Sequence, residues 1–345
     1  MTEANLRNWT LRCACLEDAA VMAAVENAAS QHFYGQDQTS EGRIRNWLGR
    51  GDRDLEHGVR LLLDDGGNVI GWAEVEDPGA PYVQFEGRLA IHPGFAGVAA
   101  AWDRLTDWME TRARTLFAGR APEGTRTALT VDTLIHDADR IAAYERFGAR
   151  RVRVLNRMRI DLIEDVPTPT WPAGVAVRAL DPNADLWALS EASQEVFRDH
   201  WGMVEQSIEE EMRGWQEWIG FQGEDYDETL SFLAVEKAGN LIGDAAVAGF
   251  SLCRPQHPGD LRLGILGSLG VRSAWRGRGL GLALITHSFR EFRNRGYQAV
   301  ELFVDTGSLT GAVRLYERAG MRAVRQEFVY EKELRPGKDL VTRGP

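Results

Sequence analysis

Cysteine is scarce in this chain of 345 residues, with only Cys13, Cys15 and Cys253. So few thiols provide no disulfide framework and fit a reducing compartment. Cys13 and Cys15 stand two apart in an expected strand, so both side chains share one face. No Cys-x-x-Cys partner or histidine cluster accompanies them, so no metal site is expected and both are read as small buried core residues. Long apolar runs are also missing. None approaches the roughly 20 residues of a membrane span, and the opening MTEANLRNWT carries no apolar signal region. A cytoplasmic protein without membrane contacts is expected. Positive charge is in deficit, with 40 Lys and Arg against 51 Asp and Glu and a formal net charge of −11. That balance excludes general nucleic-acid binding, which needs a basic surface. Oligomeric state leaves no mark in the sequence.

What remains is an ordinary globular composition, 44% hydrophobic and 26% charged. At about 150 residues per domain the length suggests two domains. Elements are expected in the order strand (9–15), helix (16–29), and a polar segment with one short helix (35–57). A hairpin follows (59–76) around Asp64-Asp65-Gly66-Gly67-Asn68, whose residues tolerate positive φ. A strand (82–91), a helix (96–117), a strand (127–131), a helix (137–147) and a strand (151–162) complete the first half. Pro167, Pro169 and Pro172 then mark a linker, because proline at this density continues neither helix nor central strand. After it the order starts again. A strand (175–179), helices (184–197 and 205–219), a hairpin (230–252), a strand (263–271), a helix (279–295), a strand (299–304), a helix (310–319) and a strand region (321–333) follow. The halves echo each other in residues. Tyr144-Glu145-Arg146-Phe147-Gly148-Ala149 matches Tyr316-Glu317-Arg318-Ala319-Gly320-Met321, and Leu89-Ala90-Ile91 matches Leu269-Gly270-Val271.

The most informative stretch runs from Leu266 to Arg290. An apolar run ends at Val271. The turn Arg276-Gly277-Arg278-Gly279-Leu280-Gly281 follows, and apolar residues return at helical spacing at Leu280, Leu284, Ile285 and Phe289. A strand, a tight loop and a helix in succession aim backbone N–H groups and a helix N-terminus at one spot. Glycine leaves room for phosphate oxygens there, and Arg276 and Arg278 add mobile positive charge. The reading is a pyrophosphate cradle. The glycine spacing is not the dinucleotide fingerprint, and no acidic residue about 20 residues later is read at a strand end to hold a ribose. It is not a P-loop either, since no Gly-Lys-Ser/Thr follows.

The loop resembles the acyl-CoA-binding motif of the GNAT N-acetyltransferases, Gln/Arg-x-x-Gly-x-Gly/Ala, with Arg276, Gly279 and Gly281 at its fixed positions. Leu315-Tyr316-Glu317-Arg318-Ala319-Gly320-Met321 is similar to that family's Leu-Tyr-Glu-x-x-Gly-Phe signature. With the internal repeat, the chain resembles the tandem-GNAT proteins, the mycothiol synthases among them, over nearly its whole length. The resemblance implies a mixed α/β (α+β) fold of two GNAT domains, each a mostly antiparallel mixed sheet flanked by helices. The expected partition is 1–163, a linker at 164–174, and 175–345. It implies acetyl-CoA as co-substrate and no metal. It also implies that the backbone of Leu269, Gly270 and Val271 faces the pantetheine arm, beside the cradle residues Arg276, Gly277, Arg278, Gly279, Leu280 and Gly281. Ser308, where family members commonly carry Asn, and Ala312 complete the cofactor-binding set. Tyr316 takes the place of the acid that meets the departing thiolate.

The halves differ chemically. Over Arg276 to Gly281 the first half reads Ala96-Gly97-Val98-Ala99-Ala100-Ala101, without either arginine and with one glycine of three. The first half is expected to be a degenerate copy. The strand before the cradle, Gly264 to Leu269, carries no carboxylate where many members place a base, and the glutamate of the mycothiol synthases has no counterpart. Candidates for the base or for acceptor binding lie in the segment after the first helix of the second half: His200, Asp199, Glu205 and Trp201. Trp201, Trp215, Trp218 and Phe221 are read either as an aromatic acceptor pocket or as core. Residues 199–228 hold ten acids and one base, Arg213, read either as a solvated helix face or as a rim attracting a cationic amine. The expected activity is acetyl transfer to a primary amine of a small molecule. The alternatives are a peptide or protein amine, or a non-catalytic acyl-CoA-binding role.

Overall fold

The structure, a computed structural model, describes residues 9–50, 53–163, 166–222, 227–237, 246–255, 262–307 and 311–343. It contains two compact units: residues 1–153 with 327–340, and residues 154–326 with 341–345. The first half of the chain runs β1 (Thr10–Cys13), α1 (Ala19–Tyr34), α2 (Glu41–Leu48), α3 (Leu55–Gly58), β2 (Val59–Leu63), β3 (Val69–Val75), β4 (Gln84–Ile91), α4 (Pro93–Ala96), α5 (Ala99–Phe117), β5 (Thr127–Leu134), α6 (Ala138–Arg146) and β6 (Arg150–Asp161). The second half runs β7 (Val175–Ala179), α7 (Leu186–Phe197), α8 (Ile208–Gln222), β8 (Ser231–Glu236), β9 (Val247–Pro255), β10 (Leu263–Val271), α9 (Leu280–Asn294), β11 (Ala299–Asp305), α10 (Ala312–Arg318) and β12 (Arg322–Arg335). The fold is mixed α/β, as expected.

Strands β1 to β4 pair antiparallel in sequence order, and β4 pairs parallel with β5. Strands β7 to β10 repeat that pattern, and β10 pairs parallel with β11. In each unit the next strand comes from the other half of the chain. β6 pairs antiparallel with β11, from Ala299–Asp161 to Asp305–Leu155. β12 pairs antiparallel with β5, from Glu327–Leu134 to Arg335–Thr127. Apolar burial follows the exchange. Met158 and Leu162 lie in the core with Phe289, Val300 and Leu302. Tyr330 and Leu334 lie in the core with Phe85, Leu105 and Leu129. The compact units therefore do not coincide with a division at residues 164–174.

Local chemistry explains several boundaries. The segment 35–57 holds two helices rather than one, because each has its own cap: Ser40 Oγ accepts from the Arg43 N–H at 3.2 Å, and Asp54 accepts from the His57 N–H at 3.0 Å. Cys13 and Cys15 are exposed, not buried. β1 ends at Cys13, and Cys15 caps a short 3-10 turn where its thiol lies 3.2 Å from Asp18 Oδ2. The turn of the hairpin between β8 and β9 lies outside the described residues from Ala238 onward. In α9 the residues at helical spacing, Leu280, Leu284, Ile285 and Phe289, are all buried as expected, and Phe292 extends the stripe.

The strand exchange is testable by truncation. A fragment beginning at Val175 lacks β6, exposes the edge of β11, and should show no sharp thermal transition by circular dichroism. A fragment beginning at Arg150 restores β6 and should melt cooperatively. Equal cooperative melting of both would mean that β6 is dispensable to the second unit.

Candidate active site

The second unit contains a cavity of about 730 Å³, and its position follows from a short piece of strand pairing. β10 and β11 pair in parallel only at Leu263–Ala299, Gly264–Val300 and Ile265–Glu301. Beyond that point β10 stays with β9 as far as Val271–Gly249, while β11 stays with β6 as far as Asp305–Leu155. The two strands part company. Leu266, Gly267, Ser268, Leu269 and Val271 line one side of the opening, and Leu302 to Asp305 line the other. Gly267 is an extra residue in β10, since Leu266 faces Cys253 and Ser268 faces Leu252. Such a bulge leaves backbone groups out of the ladder. The β3–β4 register in the first unit shows no shift.

The loop after β10 reaches the same cavity. A 3-10 turn (Ser273–Trp275) precedes it. Gly277 and Gly279 both adopt left-handed backbone, with φ of 73° and 87°, which side chains rarely tolerate. Gly279 is the N-cap of α9 with no side-chain cap, so the first N–H groups of a 15-residue helix remain available beside the cavity. Gly281 has a different reason to be small. A Cβ there would lie 3.1 Å from Leu315 Cδ2, so glycine lets α9 and α10 approach. The two arginines, both exposed, each have a contact within the loop. Arg276 Nε donates to the Val271 carbonyl at 3.0 Å, and the Arg278 guanidinium lies over the Trp275 ring, 5.0 Å from its centroid. The loop thus presents backbone N–H groups at the start of α9 together with two exposed guanidinium groups.

Glu195, near the end of α7, holds the start of the loop. It accepts from Arg272 Nε at 2.6 Å, the Ser273 N–H at 2.9 Å and Ser273 Oγ at 2.8 Å. Those hydrogen bonds, Ser273 foremost, lower its carboxyl to about 2. The sequence signalled nothing about this contact, because the partners stand 77 and 78 residues away.

Tyr316 and His200 both line the cavity. Burial pushes the Tyr316 phenol up to about 12, and no described residue hydrogen-bonds its hydroxyl. His200 is half-buried, with its ring edge-on to Phe197 at 4.9 Å. Burial, then the positive charge of Arg276, lowers its pKa; Asp199 and Asp305 oppose this. Near neutral pH the imidazole is therefore uncharged.

The remaining expected residues divide. Leu269, Val271, Arg276, Gly277, Gly279, Leu280, Gly281 and Ala312 line the cavity. Gly270 and Arg278 do not, although both belong to the same strand and loop. Asp199 and Glu205 are exposed and do not line it; Trp201 is half-buried beside Arg343, whose guanidinium lies 5.5 Å from the ring centroid. Trp215 and Trp218 pack against the core formed by Leu189, Phe250 and Leu252. Ser308 and the Phe221 side chain lie outside the described residues. Of the acids on α8, Glu211 accepts from Ser193 Oγ at 2.7 Å and Glu210 from the Ser207 N–H at 3.0 Å, so both serve local structure. Arg314, Arg318 and Asp305 line the cavity and were not singled out in the sequence. Among the described residues no group of three or more His, Cys, Asp or Glu is placed to hold a metal ion.

The first unit treats the matching positions differently. Gly97 has ordinary backbone, with φ of −72°, and α5 begins at Ala99, where the second unit has left-handed Gly279. Trp102 Nε1 donates to the Ala96 carbonyl at 2.6 Å, which fills the loop from within. Tyr144 spends its hydroxyl on the Asp132 carbonyl at 3.2 Å.

Comparison with known proteins agrees with this geometry. The model of the acetyltransferase (GNAT) family matches residues 187–321. A mycothiol acetyltransferase of Thermobispora bispora is 32% identical over 274 residues, covering 79% of this chain and 83% of that one. Among solved structures, a GCN5-related N-acetyltransferase from Sphaerobacter thermophilus superposes with a TM-score of 0.78 at 29% identity, covering 98% of each chain. A tandem GNAT protein from the clavulanic acid biosynthesis pathway has the same fold, with a TM-score of 0.73 at 15% identity, covering 96% of this chain and all of that one.

The Glu195 contact predicts a pH signature. A carboxyl lowered to about 2 stabilises the fold above its unfolded value of about 4.3, and that contribution is lost as pH falls toward 2. Glu195→Gln should therefore melt below the native chain at pH 6, with the gap narrowing at pH 3. A gap independent of pH would contradict the ionic latch.

Proposed function

Because the chain belongs to the acetyltransferase (GNAT) family, we propose that its second unit carries acetyl from acetyl-CoA to a primary amine of a small molecule. The observation that carries this reading is the convergence on one cavity of parted strand edges, a helix N-terminus behind two left-handed glycines, and a tyrosine hydroxyl without a partner among the described residues. A relative named for mycothiol acetylation supports a small-molecule acceptor over a peptide.

Direct attack on a thioester requires a neutral amine, a donor near the carbonyl oxygen, and a donor near the departing sulfur. The backbone of Leu269 to Val271 and the bulge at Gly267 supply groups along the acyl arm. The N–H groups at the start of α9 hold the pyrophosphate. His200, which lines the cavity and is uncharged near neutral pH, takes the proton from the acceptor ammonium, since β10 offers no carboxylate for that step. Tyr316 stays protonated throughout the working range and donates its O–H to the sulfur as thiolate charge develops.

Incubation of the protein with acetyl-CoA and a panel of small amines should release free coenzyme A thiol with at least one of them. Tight acetyl-CoA binding without turnover on any amine or peptide would leave a binding protein instead. Tyr316→Phe should lower kcat about 10²-fold with little change in acetyl-CoA affinity, and unchanged kcat would remove it from the chemistry. The acid limb of kcat/KM should fall below the ordinary imidazole value of about 6.5, since His200 must be unprotonated and its pKa is lowered. His200→Gln should abolish that limb.

A further inference from the structure

We propose that Arg314 and Arg318 bind the ribose 3′-phosphate of coenzyme A, and so make the second unit selective for coenzyme A over its 3′-dephospho form. This rests on the acyl-CoA reading above. The two residues stand four apart on α10, on one face of the helix, and both line the cavity. Both are exposed, and no described residue forms an ion pair or hydrogen bond with either. That is unusual here, in a chain with 51 acids against 40 bases.

The internal repeat supplies the control. Through the shared Tyr-Glu-Arg motif, Arg318 corresponds to Arg146 and Arg314 to Ala142. Arg146 is neutralised by its own unit: Nη2 lies 3.0 Å from Asp103 Oδ1, on α5. Through the loop alignment, the α9 residue matching Asp103 is Ala283, which is buried and carries no charge. The second unit therefore lacks the acid that occupies the arginine in the first and has a second arginine one turn away. Both changes leave an excess of positive charge at the cavity that has the intact cradle, where Arg276, Arg314 and Arg318 stand against Asp305.

The charge suits one part of the ligand. The pyrophosphate is met by backbone N–H groups at α9. The remaining phosphate is a terminal monoester with close to two negative charges at neutral pH. It suits guanidinium groups, which pair with phosphate through parallel N–H donors.

The test is calorimetric titration of the full chain at low salt with coenzyme A and with 3′-dephospho-coenzyme A. The native protein should bind coenzyme A about tenfold or more tightly than the dephospho form, as expected for charge-assisted hydrogen bonds. R314A/R318A should bring the two affinities within about twofold by weakening coenzyme A alone. R146A should leave both affinities unchanged, and the exposed positions should leave the melting temperature unaltered. Equal weakening of both ligands would assign the arginines to the pyrophosphate and overturn the proposal, as would equal native affinities. Failure of both ligands to bind the native chain would overturn the acyl-CoA reading itself, and the proposal with it.

Discussion

The second unit's site depends on a parallel strand contact that is cut short. β10 and β11 share three register pairs and then separate, each carried away by an antiparallel neighbour on its outer side. Six or seven pairs instead of three would close the cavity and bury the backbone edge of Leu266 to Val271 inside a ladder. The separation is stable because neither strand is left single. β9 satisfies the outer edge of β10, and β6 satisfies that of β11. Since β6 follows α6 in the chain, one wall of the site is braced by a strand from the first half of the sequence.

The two units show how one scaffold is either filled or left open. The first consumes its polar groups internally: Trp102 bonds the loop carbonyl of Ala96, Tyr144 bonds the Asp132 carbonyl, and Arg146 pairs with Asp103. In the second, the tyrosine and arginine at matching positions have no partner among the described residues, and the loop carries two left-handed glycines. Polar groups that the first unit engages internally are left facing the cavity in the second, which suits a polar ligand there.

Much of this was legible in the sequence. The helical spacing of Leu280, Leu284, Ile285 and Phe289 marked α9, and the glycines at 277 and 279 marked a backbone that only glycine adopts readily. The Tyr316 motif located the second element of the site. Three features were not legible. The strand exchange depends on pairings between segments far apart in the chain, such as Asp161 with Ala299 and Arg335 with Thr127, which local pattern does not encode. The Glu195 latch depends on a helix end and a turn meeting in space. The hydrogen bond of Arg276 to the Val271 carbonyl is a choice among side-chain conformations, invisible in residue type. The exposure of Cys13 and Cys15 was misread for a related reason. Alternation gave them a common face, but the strand ended before that face was buried.

The central claim is that only the second unit has a working acyl-CoA site. Calorimetric titration of the full chain with acetyl-CoA tests it most directly. The account predicts one tight site per chain, lost when Gly279→Val forces a side chain into a left-handed position. Two equivalent tight sites, or a single site indifferent to Gly279→Val, would contradict it.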